Sequence, residues 1–143
     1  MQPLAGKPVL DTINYIPQPD GRIPGWTAAR CPAARCSSGT WVPRTWVKVF
    51  NNIIFWHLAS LARPAGAPDR SALPIAGDDP AAKAAVTGFL DAIGYDTVDA
   101  GTLGSGGRRF QFGTRAFVAP YGMLSDQRGT PAGVAAVRAA LGL

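Results

Sequence analysis

Cysteine is almost absent: Cys31 and Cys36 are the only two in 143 residues. That excludes a disulfide-stapled secreted scaffold, which needs several bridges to make up for a small core. It also argues against a metal centre, because tetrahedral sites draw on four ligands and the single histidine, His57, lies in another segment. Acidic residues are scarce in one long stretch, with none between Asp20 and Asp69. No apolar run is long enough to cross a bilayer; the longest, "NNIIFWHLASLA", contains His57 and suits a buried helix. The start, "MQPLAGKPVL", has no apolar core of the kind a secretory signal needs. These absences point to a cytoplasmic protein with no membrane partner.

What is present fits one domain with a modest core. Hydrophobic residues make up 47% and charged residues 16%, a globular balance rather than a disordered one. The net charge of +5 favours phosphate-bearing partners only weakly. The 17 glycines and 13 prolines break the chain into short elements.

Runs rich in β-branched and aromatic residues predict strands over Lys7–Asn14, Thr45–Phe50, Ser71–Ala76 and Asp96–Gly101. Asn51 or Asn52 is placed to cap a helix reaching Ala62. A second helix has the clearest signals. Asp78 or Asp79 caps it, Pro80 takes its first position and Gly94 ends it, with Val86, Phe89, Leu90 and Ile93 forming one apolar stripe. Thr130, followed by Pro131, predicts the start of a terminal helix. Residues 108–121 fit neither periodicity. Strands alternating with helices predict an α/β fold with a mostly parallel sheet. In such sheets ligands bind beyond the carboxyl ends of the strands, here Asp11–Asn14, Asn51–Ile53 and Gly77–Asp79.

The segment Trp26–Trp46 has no apolar periodicity of either kind. It holds both cysteines and three of the four tryptophans, and its Arg, Cys, Pro and Ala bias is that of a GC-rich gene read in a shifted frame. A basic, aromatic nucleic-acid loop is the alternative, but the cations are few and do not alternate with the aromatics. No nucleic-acid partner is expected.

Four stretches, "DTINYIPQPDGRIP", "VKVFNNIIFWHLAS", "LPIAGDDPAAKAAVTGFLDAIGYDTVDAGTL" and "RRFQFGTRAFVAPYG", together resemble the C-terminal part of the coenzyme F420-dependent NADP oxidoreductase family, over most of residues 1–25 and 46–122. The resemblance implies a partial Rossmann-like parallel sheet with flanking helices in residues 1–122, followed by a tail with a short helix in 123–143. It implies an oxidoreductase passing hydride between NADP(H) and an acceptor cofactor such as coenzyme F420. Such chemistry resides in the cofactors, and the protein sets ring distance and orientation. Carried over by position, the cofactor-binding residues are Asn14, Tyr15, Asn51, Asn52, Ile53 and Gly77, with Asp11 and Thr12 at the tip that approaches the ribose and no catalytic acid or base.

Two departures are evident. The Gly-rich turn that holds a pyrophosphate at a helix N-terminus has no counterpart, since "GTLGSGG" (Gly101–Gly107) is not a GxGxxG. Residues 26–46 also diverge. The expectation is therefore a truncated member with impaired activity, and its alternative is a non-catalytic remnant that self-associates through an exposed sheet edge. For each site residue a plain structural role competes: Asn51 and Asn52 as helix caps, Asp11–Tyr15 as a polar turn, Asp78 and Asp79 as caps, His57 as a core histidine. Arg108, Arg109 and Arg115, with Phe110 and Tyr121, are candidates to contact an anionic acceptor or else form a solvated basic loop.

Overall fold

The computed structural model describes residues 6–16 and 45–143. The reading of Trp26–Trp46 and of its two cysteines therefore lies outside the described residues, apart from Thr45 and Trp46. Four short strands, β1 (Val9–Asp11), β2 (Trp46–Lys48), β3 (Ala72–Gly77) and β4 (Asp96–Asp99), form one sheet in that spatial order. β1 and β2 are parallel, as are β3 and β4, whereas β2 and β3 are antiparallel. The result is a mostly parallel α/β sheet with flanking helices, an arrangement compatible with a partial Rossmann-like fold.

β3 is the axis of the core. All six of its residues are buried, as the unbroken apolar run of a strand covered on both faces requires. Helix α2 (Pro80–Ala92) covers one part of the sheet with Ala82, Val86 and Leu90 buried. Its start follows the predicted chemistry: the Asp79 carboxylate accepts from the Ala82 N–H at 2.9 Å and Pro80 follows. Gly94, at φ +97, turns the chain into β4. Of the apolar stripe, Phe89 remains 46% exposed and meets Phe50 edge-on at 6.4 Å.

Two helices are shorter than their sequence signals. α1 spans only Phe55–Ser60, because Phe50 takes φ +65 and the Asn51–Asn52–Ile53 segment is used as a turn. Neither asparagine caps α1, whose N-cap, Ile54, makes no side-chain bond. α3 spans Val134–Leu141, with Gly133 rather than Thr130 at its cap. Residues 130–132 are held by tertiary bonds instead. The Thr130 N–H donates to Tyr121 O, Ala72 N–H to Ala132 O, and Ala132 N–H to Ser71 Oγ. Val137 and Leu141 of α3 join the same core as β3. Residues 107–121 contain two short three-ten turns, Gly107–Phe110 and Ala119–Tyr121. Among the described residues no helix is long and apolar enough to cross a membrane.

Candidate functional site

The parallel β1–β2 pairing places the two strands' carboxyl ends side by side, with Asp11 opposite Lys48. The residues that follow each strand meet there. Asn14 Nδ2 donates to Asn51 O at 2.6 Å, and Asn51 Nδ2 donates to Asn14 Oδ1 at 3.1 Å and to Phe110 O at 2.9 Å. Two amides 37 positions apart in the chain are thus brought into direct contact. Asn14 and Tyr15 are half-buried, Asn51 is 5% exposed and Asn52 is fully buried.

Asn52 does a different job from Asn51. Its Nδ2 donates to Ala116 O at 3.0 Å and to the Tyr121 hydroxyl at 3.4 Å, and its backbone carbonyl accepts from Val118 N–H at 2.8 Å. It therefore fastens residues 116–121 to the turn. Val118 has φ +61 and ψ −47, and Ala119 N–H donates to Phe117 O at 2.7 Å. That is the strained form of the γ-turn, rare at a β-branched residue. Phe50 and Val118 are the two non-glycine residues of positive φ among those described, and they flank the same asparagine turn. Backbone strain of this kind persists only where surrounding contacts over-determine it, and it concentrates at ligand sites.

Beneath the asparagines lies a charge that the sequence pattern did not single out. Lys48 is fully buried, with Nζ 3.6 Å from Asp11 Oδ2 and donating to Ile13 O at 2.7 Å. Burial lowers its pKa from the ordinary lysine value, opposed by the Asp11 carboxylate. Asp11 Oδ1 accepts from Ile13 N–H at 3.1 Å, so the pair fixes the path of the chain leading to Asn14. Gly107 lies over the lysine stem: a β-carbon there would sit 3.3 Å from Lys48 Cδ. In sequence, "TWVKVF" reads as a strand, with Lys48 given no separate role. Only the packing of Gly107 against it reveals the burial.

Gly77 is not at this end. The antiparallel β2–β3 pairing sets Gly77 opposite Val47, the middle residue of β2, with β3 running away from the carboxyl end of β2. The expectation that all three strand tips converge on one rim is corrected for this residue, because the tips converge only where neighbouring strands run in the same sense. The backbone that approaches Gly77 belongs to the protein itself, since a β-carbon would lie 3.0 Å from Trp46 O and 3.2 Å from Val47 Cγ2. The two acids after it are also structural. Asp79 caps α2, while Asp78 Oδ1 accepts from Leu103 N–H at 3.0 Å and ties down the Gly101–Gly107 loop.

The other candidates divide. Ile53 borders the core at 9% exposure, and Thr12 is exposed at the β1 tip. Phe110 and Tyr121 are fully buried, so neither is free to contact an acceptor. Tyr121 donates to Ala72 O at 2.8 Å, and burial pushes its pKa up. Arg109 caps α3 through Leu141 O at 2.9 Å and Gly142 O at 3.1 Å, while Arg115 is exposed. His57 is a core histidine with Nε2 against Asp126 O. Sequence reasoning also passed over Arg70, a buried hub that reaches Asp91 Oδ1 at 2.7 Å, Tyr95 O at 3.0 Å and Asp96 Oδ1 at 3.0 Å.

Fold and site together define a mostly parallel α/β protein with an amide cluster at the carboxyl ends of one strand pair. Comparison with known proteins agrees at the level of fold. The chain is similar to a crystal structure of a hypothetical protein, SMa0349, from Sinorhizobium meliloti, at 26% sequence identity and a TM-score of 0.54. The match covers 80% of this chain and 53% of that one, so the chain spans about half the length of this neighbour. No family profile and no curated protein matches the chain.

Proposed function

We propose that this chain is part of an NAD(P)-dependent oxidoreductase of the F420-dependent type, in which the Asn14–Asn51 cluster orients the nicotinamide end of the cofactor. The observation that carries the reading is the meeting of Asn14 and Asn51 beyond the carboxyl ends of a parallel strand pair, where α/β sheets bind ligands. When bound, dihydronicotinamide supplies the hydride that an acceptor ring takes up. The chain's share is positional. Half-buried Asn14 offers an amide to a carboxamide, Asn51 fixes that amide, Ile53 and Ile13 supply apolar surface, and Asn52 holds the turn without touching the ring. Lys48 and Asp11 form the base beneath and are not acid–base groups. Gly77 and the two acids after it lie outside this site.

Titration calorimetry of the chain with NADPH tests the division of labour. Without a pyrophosphate turn the expected dissociation constant is weaker than about 1 mM, roughly −4 kcal/mol. A value near ~1 μM would mean that a phosphate site lies within these residues. Fusing a strand, Gly-rich turn and helix ahead of the chain is expected to give NADPH oxidation with a deazaflavin or flavin acceptor. In that fusion Asn14→Ala lowers turnover about tenfold, equivalent to about 1.4 kcal/mol, and Asp79→Ala leaves it near the parent. A folded fusion inactive with every such acceptor overturns the reading.

The second reading, a non-catalytic self-associating remnant, is favoured by one observation: Leu10 and Ile13, on and beside β1, the edge strand among the described residues, are 37% and 48% exposed. It predicts concentration-dependent dimerisation that Leu10→Lys abolishes. Sedimentation as a monomer at all concentrations removes it.

A further inference from the structure

No acidic residue occurs between Asp99 and Asp126, while three arginines do, Arg108, Arg109 and Arg115. The first two lie on the three-ten turn Gly107–Phe110, whose period sorts its side chains. Three residues complete one turn, so side chains three apart eclipse one another. Gly107 and Phe110 are both buried, the glycine over the Lys48 stem and the ring in the core. Arg109 leaves by a second side and donates to Leu141 O and Gly142 O at the end of α3. Arg108 and Gln111, again three apart, share the third side.

That third side carries donors with nothing to bond. Arg108 is half-buried, and its Nε is buried with no acceptor against it. Gln111 is half-buried too, and its Nε2 is a second buried donor without a partner. Every other buried or half-buried lysine or arginine among the described residues faces a carboxylate: Lys48 faces Asp11, Arg63 Asp69, Arg70 Asp91 and Asp96, and Lys83 Asp99. Buried polar groups are paired as a rule, and a charge drawn out of water without a counter-charge is costly. Two adjacent unmatched donors, one of them cationic, therefore fit an anion from outside the chain. The backbone that carries them is firmly held. Asn51 Nδ2 donates to Phe110 O at 2.9 Å, and the Thr114 N–H and Oγ1 donate to Gln111 O at 3.1 and 2.8 Å. The first of these bonds fixes the turn against the Asn14–Asn51 cluster.

We propose that Arg108 and Gln111 form a phosphate-binding site, in which the guanidinium takes two oxygens of the anion and the Gln111 amide takes a third. A guanidinium presents its donors in a planar fork that fits an oxyanion, and a phosphate monoester has three acceptor oxygens to share. The anion also supplies the negative charge that this acid-free stretch of chain lacks. The occupant is a free phosphate or the phosphate of a nucleotide, which the same two side chains recognise. The inference goes beyond the proposed oxidoreductase function and does not depend on it. One arginine and one amide, without a Gly-rich turn around the anion, bind at millimolar strength, so the weak NADPH binding expected above stands.

Heteronuclear NMR of the arginine Nε–H and glutamine side-chain amide groups tests it, on the full chain titrated with inorganic phosphate against chloride at matched ionic strength. The Arg108 Nε–H and Gln111 Nε2 signals are expected to shift along saturating curves with one common millimolar half-point. Exposed Arg115 and Arg128 drift without saturating. Arg108→Gln is expected to weaken phosphate binding about tenfold, read at Gln111, because it removes the charged donors. Its urea midpoint stays at the parent value or rises, since no bond within the fold is lost. Nicotinamide mononucleotide separates the two sources. A half-point equal to that of inorganic phosphate assigns the site to free phosphate; a tighter one, with a shift of the Asn14 amide, assigns it to a nucleotide. Parallel, unsaturating shifts of Arg108, Arg115 and Arg128 would mean a solvated basic loop and overturn the proposal. So would a lowered urea midpoint for Arg108→Gln with phosphate binding at Gln111 unchanged, because the guanidinium would then serve the fold alone.

Discussion

Asparagine is the residue around which this molecule turns, and the three that matter have separate roles. Asn14 and Asn51 exchange hydrogen bonds at a strand-tip surface, whereas Asn52 is enclosed and bonds in two directions. Asn52→Ala removes the donor to Ala116 O in a fully buried setting. An unsatisfied buried acceptor costs about 1–3 kcal/mol, and the turn that places Asn14 and Asn51 loosens with it. The expected result is a lower urea midpoint with an unchanged denaturant slope, the mark of lost stability rather than altered compactness. Asn14→Ala, at a half-buried position, shifts the midpoint less. An equal effect of the two substitutions would show that Asn52 is not the pin.

At the scale of elements, α2 and its preceding turn show how adjacent, identical side chains divide their work. Asp79 caps the helix, and Asp78 reaches across to Leu103 N–H. Asp79→Ala is expected to cost about 1 kcal/mol, the usual loss of an N-cap, with faster exchange of the Ala82 amide. Asp78→Ala is expected to leave the α2 amides alone and to expose the Leu103 amide instead. Exchange measured residue by residue separates the two; acceleration of the same amides in both variants would refute the division. The same scale explains why α1 is short. Sequence signals extend it back to the asparagines, but Asn51 and Asn52 spend their amides on Phe110 O and Ala116 O, 59 and 64 residues away.

Across the whole molecule the buried ionisable groups set the response to alkaline pH, and their signs differ. Burial raises the pKa of Tyr95 to about 12 and raises that of Tyr121 as well. Above about pH 10, the ordinary tyrosine value, the unfolded chain loses these protons and the folded chain keeps them. Their contribution to stability is therefore full below that pH and is lost as pH rises, for Tyr95 by about pH 12. Lys48 acts oppositely. Its folded pKa is lowered from 10.5, so just below that pH the unfolded chain holds a proton that the folded chain has released, and rising pH favours folding. Its effect ends near 10.5, and the tyrosines dominate beyond. Unfolding midpoints measured against pH should rise slightly toward pH 10 and fall above it. Lys48→Met should flatten the rise, and Tyr95→Phe should lessen the fall. A fall that Tyr95→Phe leaves unchanged would show that other groups control it.

Local chemistry determined much of this protein by itself. The four strands, α2 with its Asp79 cap and Pro80, and the stop at Gly94 were legible because each depends on neighbours within a few residues. The meeting of Asn14 with Asn51 was also legible, since parallel strands that end together present their tips together. What only the tertiary structure decided depends on partners distant in sequence. The antiparallel β2–β3 pairing turns the Gly77 tip away from the carboxyl end of β2, and no period in the sequence records the sense of a pairing. Lys48 is buried because Gly107 leaves room for its stem, and Thr130 gives up its capping role because its N–H is taken by Tyr121 O. In each case a partner across the fold outweighs a local propensity worth only a few tenths to one kcal/mol, roughly, so the distant partner prevails.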